Sequence, residues 1–246
     1  MTRLSVNLNK VALLRNSSHT GVPDPVRFAH IVHDAGAAGV TLHPRPDERH
    51  IRRTDVDAIA ATIAAWRPGF ELNLEGYPDE RFLAIVRAAR PEQITLVPDK
   101  PDAFTSDAGW KLDAAERAVV DHFLAAVRPL GARVILFCDP DANAAVRIAD
   151  TGVQGIEIYT GDYAAAHCIG RSAEALALCF AAADAARARG LVVNAGHDLN
   201  LHNLPALVHR VPWVKEVSIG HELTADALEM GMAAAIRAYR DALVPR

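Results

Sequence analysis

Residues 70–98 read FELNLEGYPDERFLAIVRAARPEQITLVP. FELNL (70–74) and QITLVP (93–98) have the length and composition of strands. ERFLAIVRAAR (80–90), between them, carries its apolar residues at the spacing of an amphipathic helix. Two strands joined through a helix lie parallel, with the helix covering one face of the sheet.

The same unit recurs along the chain. Further strand-like runs are LSVNLN (4–9), GVTLH (39–43), RVILFC (133–138), GIEIY (155–159), LVVNA (191–195) and EVSIG (216–220), making eight in all. Helical patterns separate them: PVRFAHIVHDAGA (25–37), DVDAIAATIAAW (55–66), AAERAVVDHFLAAVRPLG (114–131) and SAEALALCFAAADAARARG (172–190). Thr54 and Ser172 are expected to cap helices, and Gly131, Gly152 and Gly190 to end them. Eight alternations in 246 residues favour a closed (β/α)8 barrel over a doubly wound open sheet. No linker of flexible composition interrupts residues 1–246, so one domain is expected. The stretch 99–132 begins DKPDAFTSDAGW, lacks a strand and is expected to carry an active-site loop.

Composition narrows the function. Half of the residues are hydrophobic and 23% are charged, which argues against a disordered chain. A net charge of −4 argues against nucleic-acid or anionic-membrane partners, though not against small phosphorylated substrates. Cys138, Cys168 and Cys179 lack CxxC spacing, which points to a reducing compartment and no zinc site. MTRLSVNLNK has no signal-peptide core, and no apolar run approaches the roughly 20 residues of a membrane span. A soluble, cytoplasmic protein is the expectation.

In a barrel of this kind the active site lies at the C-terminal ends of the strands. Those ends carry Asn7, Asn9 and Lys10; His43 and Arg45; Asn73 and Glu75; Glu157 and Tyr159; Asn194, Gly196 and His197; and Gly220 and His221. Glu75 and Glu157 are the sharpest of these, because a carboxylate in a buried parallel strand needs a partner or a shifted pKa. Pro44 and Pro46 in HPRPDERH (43–50) stiffen the loop that holds His43 and Arg45. NAGHDLN and SIGHEL place Gly-His pairs after the last two strands, where backbone N–H groups of such barrels bind phosphate. Blander readings suffice elsewhere: RRTD (52–55) is a solvated helix start, DAARARG (184–190) an exposed helix end, Trp66, Trp110 and Trp213 are packing residues, and Cys138 is a core residue.

SVNLNKVALLRN, GVTLHPRPDERHIR, ELNLEGYP, ITLVPDKPDAFTSDAGW, IEIYTGDYA, VNAGHDLNLHNLP and EVSIGHEL occur in this order. Together they resemble the pyridoxine 5′-phosphate synthase family over essentially the whole chain. The resemblance implies a TIM barrel with additional helices, assembled as a homo-octamer. It implies condensation of 3-amino-2-oxopropyl phosphate with 1-deoxy-D-xylulose 5-phosphate to pyridoxine 5′-phosphate, phosphate and water, with no cofactor and no metal. By resemblance His43 and Glu75 are proton acceptors, His197 is the proton donor and Glu157 stabilises the transition state. Arg45, His50 and Thr105 match contacts to the deoxyxylulose phosphate, and Asn7, Gly196, Gly220 and His221 contacts to the amino-ketone phosphate. The chain departs from many relatives in having Asn9-Lys10 and, in place of an arginine, Ser18. Two other readings compete: a metal-dependent barrel enzyme with His43, Glu75, Glu157 and His197 as ligands, and a non-catalytic binder of a phosphorylated metabolite.

Overall fold

A computed structural model describes residues 1–99 and 108–244 of the protein. Eight parallel strands follow one another around a closed barrel: β1 (Arg3–Asn7), β2 (Gly39–Leu42), β3 (Glu71–Gly76), β4 (Gln93–Leu96), β5 (Arg133–Cys138), β6 (Gly155–Tyr159), β7 (Val192–Gly196) and β8 (Glu216–Ile219). β8 closes onto β1 with Leu4 opposite Val217 and Val6 opposite Ile219. The helices are α1 (Asn9–Asn16), α2 (Pro25–Asp34), α3 (Arg53–Thr62), α4 (Glu80–Ala89), α5 (Ala114–Val127), α6 (Ala142–Ala149), α7 (Gly161–Cys168), α8 (Ser172–Ala188), α9 (Leu204–Arg210), α10 (His221–Met230) and α11 (Met232–Ala242). Strand β1 is followed by α1 and α2, β6 by α7 and α8, and β8 by α10 and α11. α1, α7 and α10 therefore begin at the C-terminal rim of the barrel as helices additional to the eightfold repeat.

The strand alternation sorts residues between two buried faces. Leu4, Val6, Val40, Leu42, Leu72, Leu74, Ile94, Leu96, Leu136, Ile156, Ile158 and Val217 share the apolar face covered by helices. The other face lines the barrel and is largely polar. Ser5 and Thr41 hydroxyls lie 2.8 Å apart, Asn73 Nδ2 donates to Thr41 Oγ1, and Thr95 Oγ1 donates to Asn73 Oδ1. Nearer the strand N-termini, Gln93 donates to Glu216 and accepts from Asn194 and Arg133. Buried amides and hydroxyls that satisfy one another in this way hold fixed orientations, because breaking one bond strands its partner. The inner wall that carries the rim residues is thus stiff.

Gly131, Gly152 and Gly190 end their helical segments with φ between 70° and 80°, as expected. Four local expectations are corrected. LSVNLN does not stay extended to residue 9: β1 stops at Asn7, and Asn9 and Lys10 open α1. Thr54 lies inside α3, where the Asp55 carboxylate instead accepts from the Arg52 N–H. Ser172 is the first helical residue of α8 and makes no capping bond. RRTD is not wholly solvated, since Asp55 is buried against Arg15 of α1 in a two-pronged ion pair. Trp110 and Cys138 are core residues, and Trp213 packs on Phe180 with Arg187 over its ring. Among the described residues no helix is long and apolar enough to cross a membrane.

Candidate active site

The loop after β2 is tied down from three sides. The Asn9 N–H donates to Asn7 Oδ1, and Asn9 Oδ1 in turn accepts from the His43 backbone N–H at 3.0 Å. The Arg45 N–H donates back to the His43 carbonyl, and Arg81 Nη2 donates to the Pro44 carbonyl at 2.8 Å. Arg45, only 3% exposed, pairs through Nη1 with Asp99 Oδ2 at 2.9 Å. Farther on, His50 is buried with its ring centroid 5.9 Å from that of His43. The Ile51 N–H donates to His50 Nδ1, so the neutral ring carries its proton on Nε2.

Opposite this loop stands Glu75 on β3. Its Oε1 lies 3.7 Å from His43 Nδ1, and both side chains are 8% exposed. Burial dominates their acid–base behaviour. It raises the Glu75 carboxyl to about 8, with the Asp99 charge adding to the rise and Arg45 opposing it. Burial also holds His43 well below the usual imidazole range, helped by His50, Arg45, His197 and Arg81. His50 is lowered to about 4 for the same first reason, with Arg45 and Lys10 contributing. Near neutrality the pair is therefore a protonated carboxyl beside a neutral imidazole, which keeps one ring nitrogen free to accept a proton. Glu157 on β6 is raised well above the ordinary carboxylate range by burial, then by Glu75 and Glu216. Among the described residues no group of three or more His, Cys, Asp or Glu side chains is placed to hold a metal ion.

Glu157 reaches across to β7. A Cβ added at Gly196 would lie 2.2 Å from Glu157 Oε1, so the carboxylate occupies the space that glycine leaves open. The next residue, His197, has φ of +79°, an uncommon conformation for a residue with a side chain. Thr160, fully buried after β6, holds that turn: its hydroxyl faces the carbonyls of both Gly196 (2.5 Å) and His197 (2.6 Å). Edge contacts with Phe137 (centroids 4.9 Å apart) and Tyr159 (5.6 Å) orient the His197 ring. At the remaining rim position a Cβ on Gly220 would meet Asn7 Cβ at 3.1 Å, so β1 and the end of β8 are in contact here. Gly220 precedes α10, whose first turn has no side-chain cap and begins with the exposed His221.

Most of the rim residues singled out in the sequence thus converge. His43, Arg45, His50, Glu75, Glu157, Gly196 and His197 form one cluster, and Asn7 and Gly220 adjoin it through Asn9. Thr105 lies outside the described residues. Ser18 is exposed, with its hydroxyl near that of Thr20. Sequence reasoning missed Asn9 as the brace of His43, Thr160 as the brace of His197, and a cavity of about 220 Å³ lined by His43, Arg45, Tyr77, Asp79, Arg81 and Asp99. One signal was present: Pro-Asp-Glu-Arg occurs at 46–49 and again at 78–81, after consecutive strands.

The family described as pyridoxal phosphate biosynthesis protein PdxJ matches residues 4–244. This chain belongs to the PdxJ family. A relative from Allorhizobium ampelinum named pyridoxine 5′-phosphate synthase is 49% identical, over 98% of this chain and 97% of its own. One of the same name from Porphyromonas gingivalis is 47% identical over 99% of both. Among solved structures, phosphoribosyl anthranilate isomerase from Thermotoga maritima superposes with a TM-score of 0.60 at 14% identity, covering 99% of this chain and 98% of that one. Thiamine phosphate pyrophosphorylase from Pyrococcus furiosus gives 0.60 at 9% identity, over 98% of this chain and 95% of that one. At such identities these two show the barrel fold alone. The PdxJ family and the name shared by its curated members agree with the activity expected from the sequence, an enzyme of vitamin B6 biosynthesis.

Proposed function

We propose that this chain condenses 3-amino-2-oxopropyl phosphate with 1-deoxy-D-xylulose 5-phosphate to pyridoxine 5′-phosphate, releasing phosphate and water, as a single catalytic domain. The observation that carries the assignment of roles is the His43–Glu75 pair, 3.7 Å apart, with its pKa values pushed in opposite directions. Addition of an amine to a ketone, loss of water from the carbinolamine, elimination of phosphate and aldol-like closure all move protons. A neutral imidazole beside a carboxyl that titrates near 8 supplies an acceptor at once and a second acceptor when the carboxyl ionises. His197, oriented by Thr160 and two aromatic edges, faces the same space as proton donor. Glu157, behind Gly196, is assigned to stabilise the transition state by hydrogen bonding, because burial favours the protonated form of its carboxyl group.

Two phosphorylated substrates need two anion sites. Gly196, Gly220 and His221, with the uncapped N-terminus of the ten-residue helix α10 and Asn7 beside it, suit the amino-ketone phosphate. Arg45 and His50, with Thr105, are assigned to the deoxyxylulose phosphate. Leu13, Leu14, Leu228 and Met230 are exposed on α1 and α10, which pack together, and this supports a homo-oligomer. Three free cysteines support a reducing, cytoplasmic setting.

The test of the assignment is a set of substitutions followed by product absorbance. His43→Ala, Glu75→Ala, Glu157→Gln and His197→Ala are each expected to fold and to lose pyridoxine 5′-phosphate formation by at least about 100-fold. A variant that folds and keeps wild-type turnover removes its residue from the mechanism.

A further inference from the structure

Arg81 has no role in the site as assigned above, yet it lines the cavity beside His43. It lies in the first turn of α4, after Asp79 has capped that helix by accepting from the Phe82 N–H. Its guanidinium is half-buried. Nη2 donates to the Pro44 carbonyl, whereas Nε is buried without a hydrogen-bond partner. Among the described residues Arg81 has no carboxylate within ion-pair reach. Arg45, which also lines the cavity, has Asp99, and Asp79 caps the helix by accepting from the Phe82 N–H.

A half-buried guanidinium without a counterion carries a desolvation cost that an anionic ligand relieves. A guanidinium with five N–H donors, of which the structure pairs only Nη2 with a carbonyl among the described residues, keeps donors for the oxygens of a phosphate monoester. The cavity volume of about 220 Å³ accommodates such a group, and its walls also hold His43 and Arg45. His43, Arg45 and Arg81 line one cavity, so both cations lie near the reacting end of the site and help to hold the His43 imidazole below its ordinary range.

We propose that Arg81 is the second guanidinium of the deoxyxylulose-phosphate pocket: it binds the phosphate together with Arg45 and selects the phosphorylated over the unphosphorylated sugar. The proposal rests on the substrate assignment above. It also gives the hydrogen bond to Pro44 a purpose, because that bond links the cation to the loop carrying His43.

The test compares the wild type, Arg81→Lys and Arg81→Met with 1-deoxy-D-xylulose 5-phosphate and with unphosphorylated 1-deoxy-D-xylulose, by turnover and by calorimetric binding. Methionine keeps the packing of the stem and removes the charge. Loss of a charge-assisted contact predicts a rise of about 10- to 100-fold in the KM for the phosphorylated sugar. Binding of the unphosphorylated sugar and the KM for the amino-ketone phosphate are expected to stay within about twofold. Lysine, which keeps the charge but not the fork, is expected to fall between. Equal losses with both sugars would overturn the proposal and leave Arg81 as a brace for Pro44; an unchanged KM would overturn it as well. Failure of the underlying assignment looks different, since the wild type itself would then neither bind nor turn over the phosphorylated sugar.

Discussion

Gly196→Ala tests whether the placement of the Glu157 carboxylate matters to the reaction. The backbone at Gly196 is not in the left-handed region, so alanine introduces no dihedral strain. Its Cβ would nevertheless sit 2.2 Å from Glu157 Oε1, where a carbon–oxygen contact needs about 3.3 Å. The carboxylate must therefore retreat by about 1 Å. It is 4% exposed and has no solvent to swing into, so the shift is forced on the interior of the barrel. A misplacement of this size costs about 100-fold in rate, equivalent to about 2.7 kcal/mol in the barrier. Overpacking a single methyl group costs about 1–3 kcal/mol of stability, which leaves the protein folded. Turnover at saturating substrates, read with a thermal melt, separates the two effects. A folded Gly196→Ala enzyme within about threefold of wild-type turnover would refute the reasoning.

Three further outcomes follow from the same geometry. Glu75 titrates at about 8 and serves as an acceptor only when ionised, so kcat/KM should rise with pH through that value. Asp99→Asn removes a charge that raises Glu75 and frees Arg45 to lower it, so the rising limb should move to lower pH; a pH–rate profile with an unmoved limb would contradict this. Between its ordinary 4.5 and about 8 the folded protein keeps a proton on Glu75 that the unfolded chain has lost, so stability falls as pH rises across that window. Glu75→Gln should accordingly melt higher than wild type by a margin that grows from pH 5 to pH 8.5, and a margin independent of pH would count against it. Finally, Thr160→Val should lower kcat by at least about tenfold by releasing the two carbonyls around His197, whereas Thr160→Ser, which keeps the hydroxyl, should stay near wild type. Similar losses in both would assign Thr160 to packing.

Much of the fold was legible because strand and helix periods alternate cleanly, and the eight strands lie close to where the runs placed them. Glu75 and Glu157 stood out because a carboxylate between apolar strand residues has few bland explanations. What the sequence concealed depends on distant partners. LSVNLN keeps its alternation past Asn7 because Leu8 is also buried, so the turn into α1 and the bond from His43 to Asn9 left no local trace. Asp55 resembled a solvated helix start because its partner, Arg15, is 40 positions away. Arg81 was hidden in a run that reads as an ordinary amphipathic helix, and only the repeated Pro-Asp-Glu-Arg marked it. Thr160 was overlooked because a threonine after a strand is unremarkable until both carbonyls it faces are located.

The most direct measurement of the central claim is turnover of the two phosphorylated substrates by the wild-type protein, with His43→Ala alongside. Pyridoxine 5′-phosphate is identified by mass and inorganic phosphate is counted. The account predicts one phosphate released for each pyridoxine 5′-phosphate formed, and no product from the variant. Folded wild-type protein that yields no pyridoxine 5′-phosphate from saturating substrates, or a variant that yields as much, would contradict it.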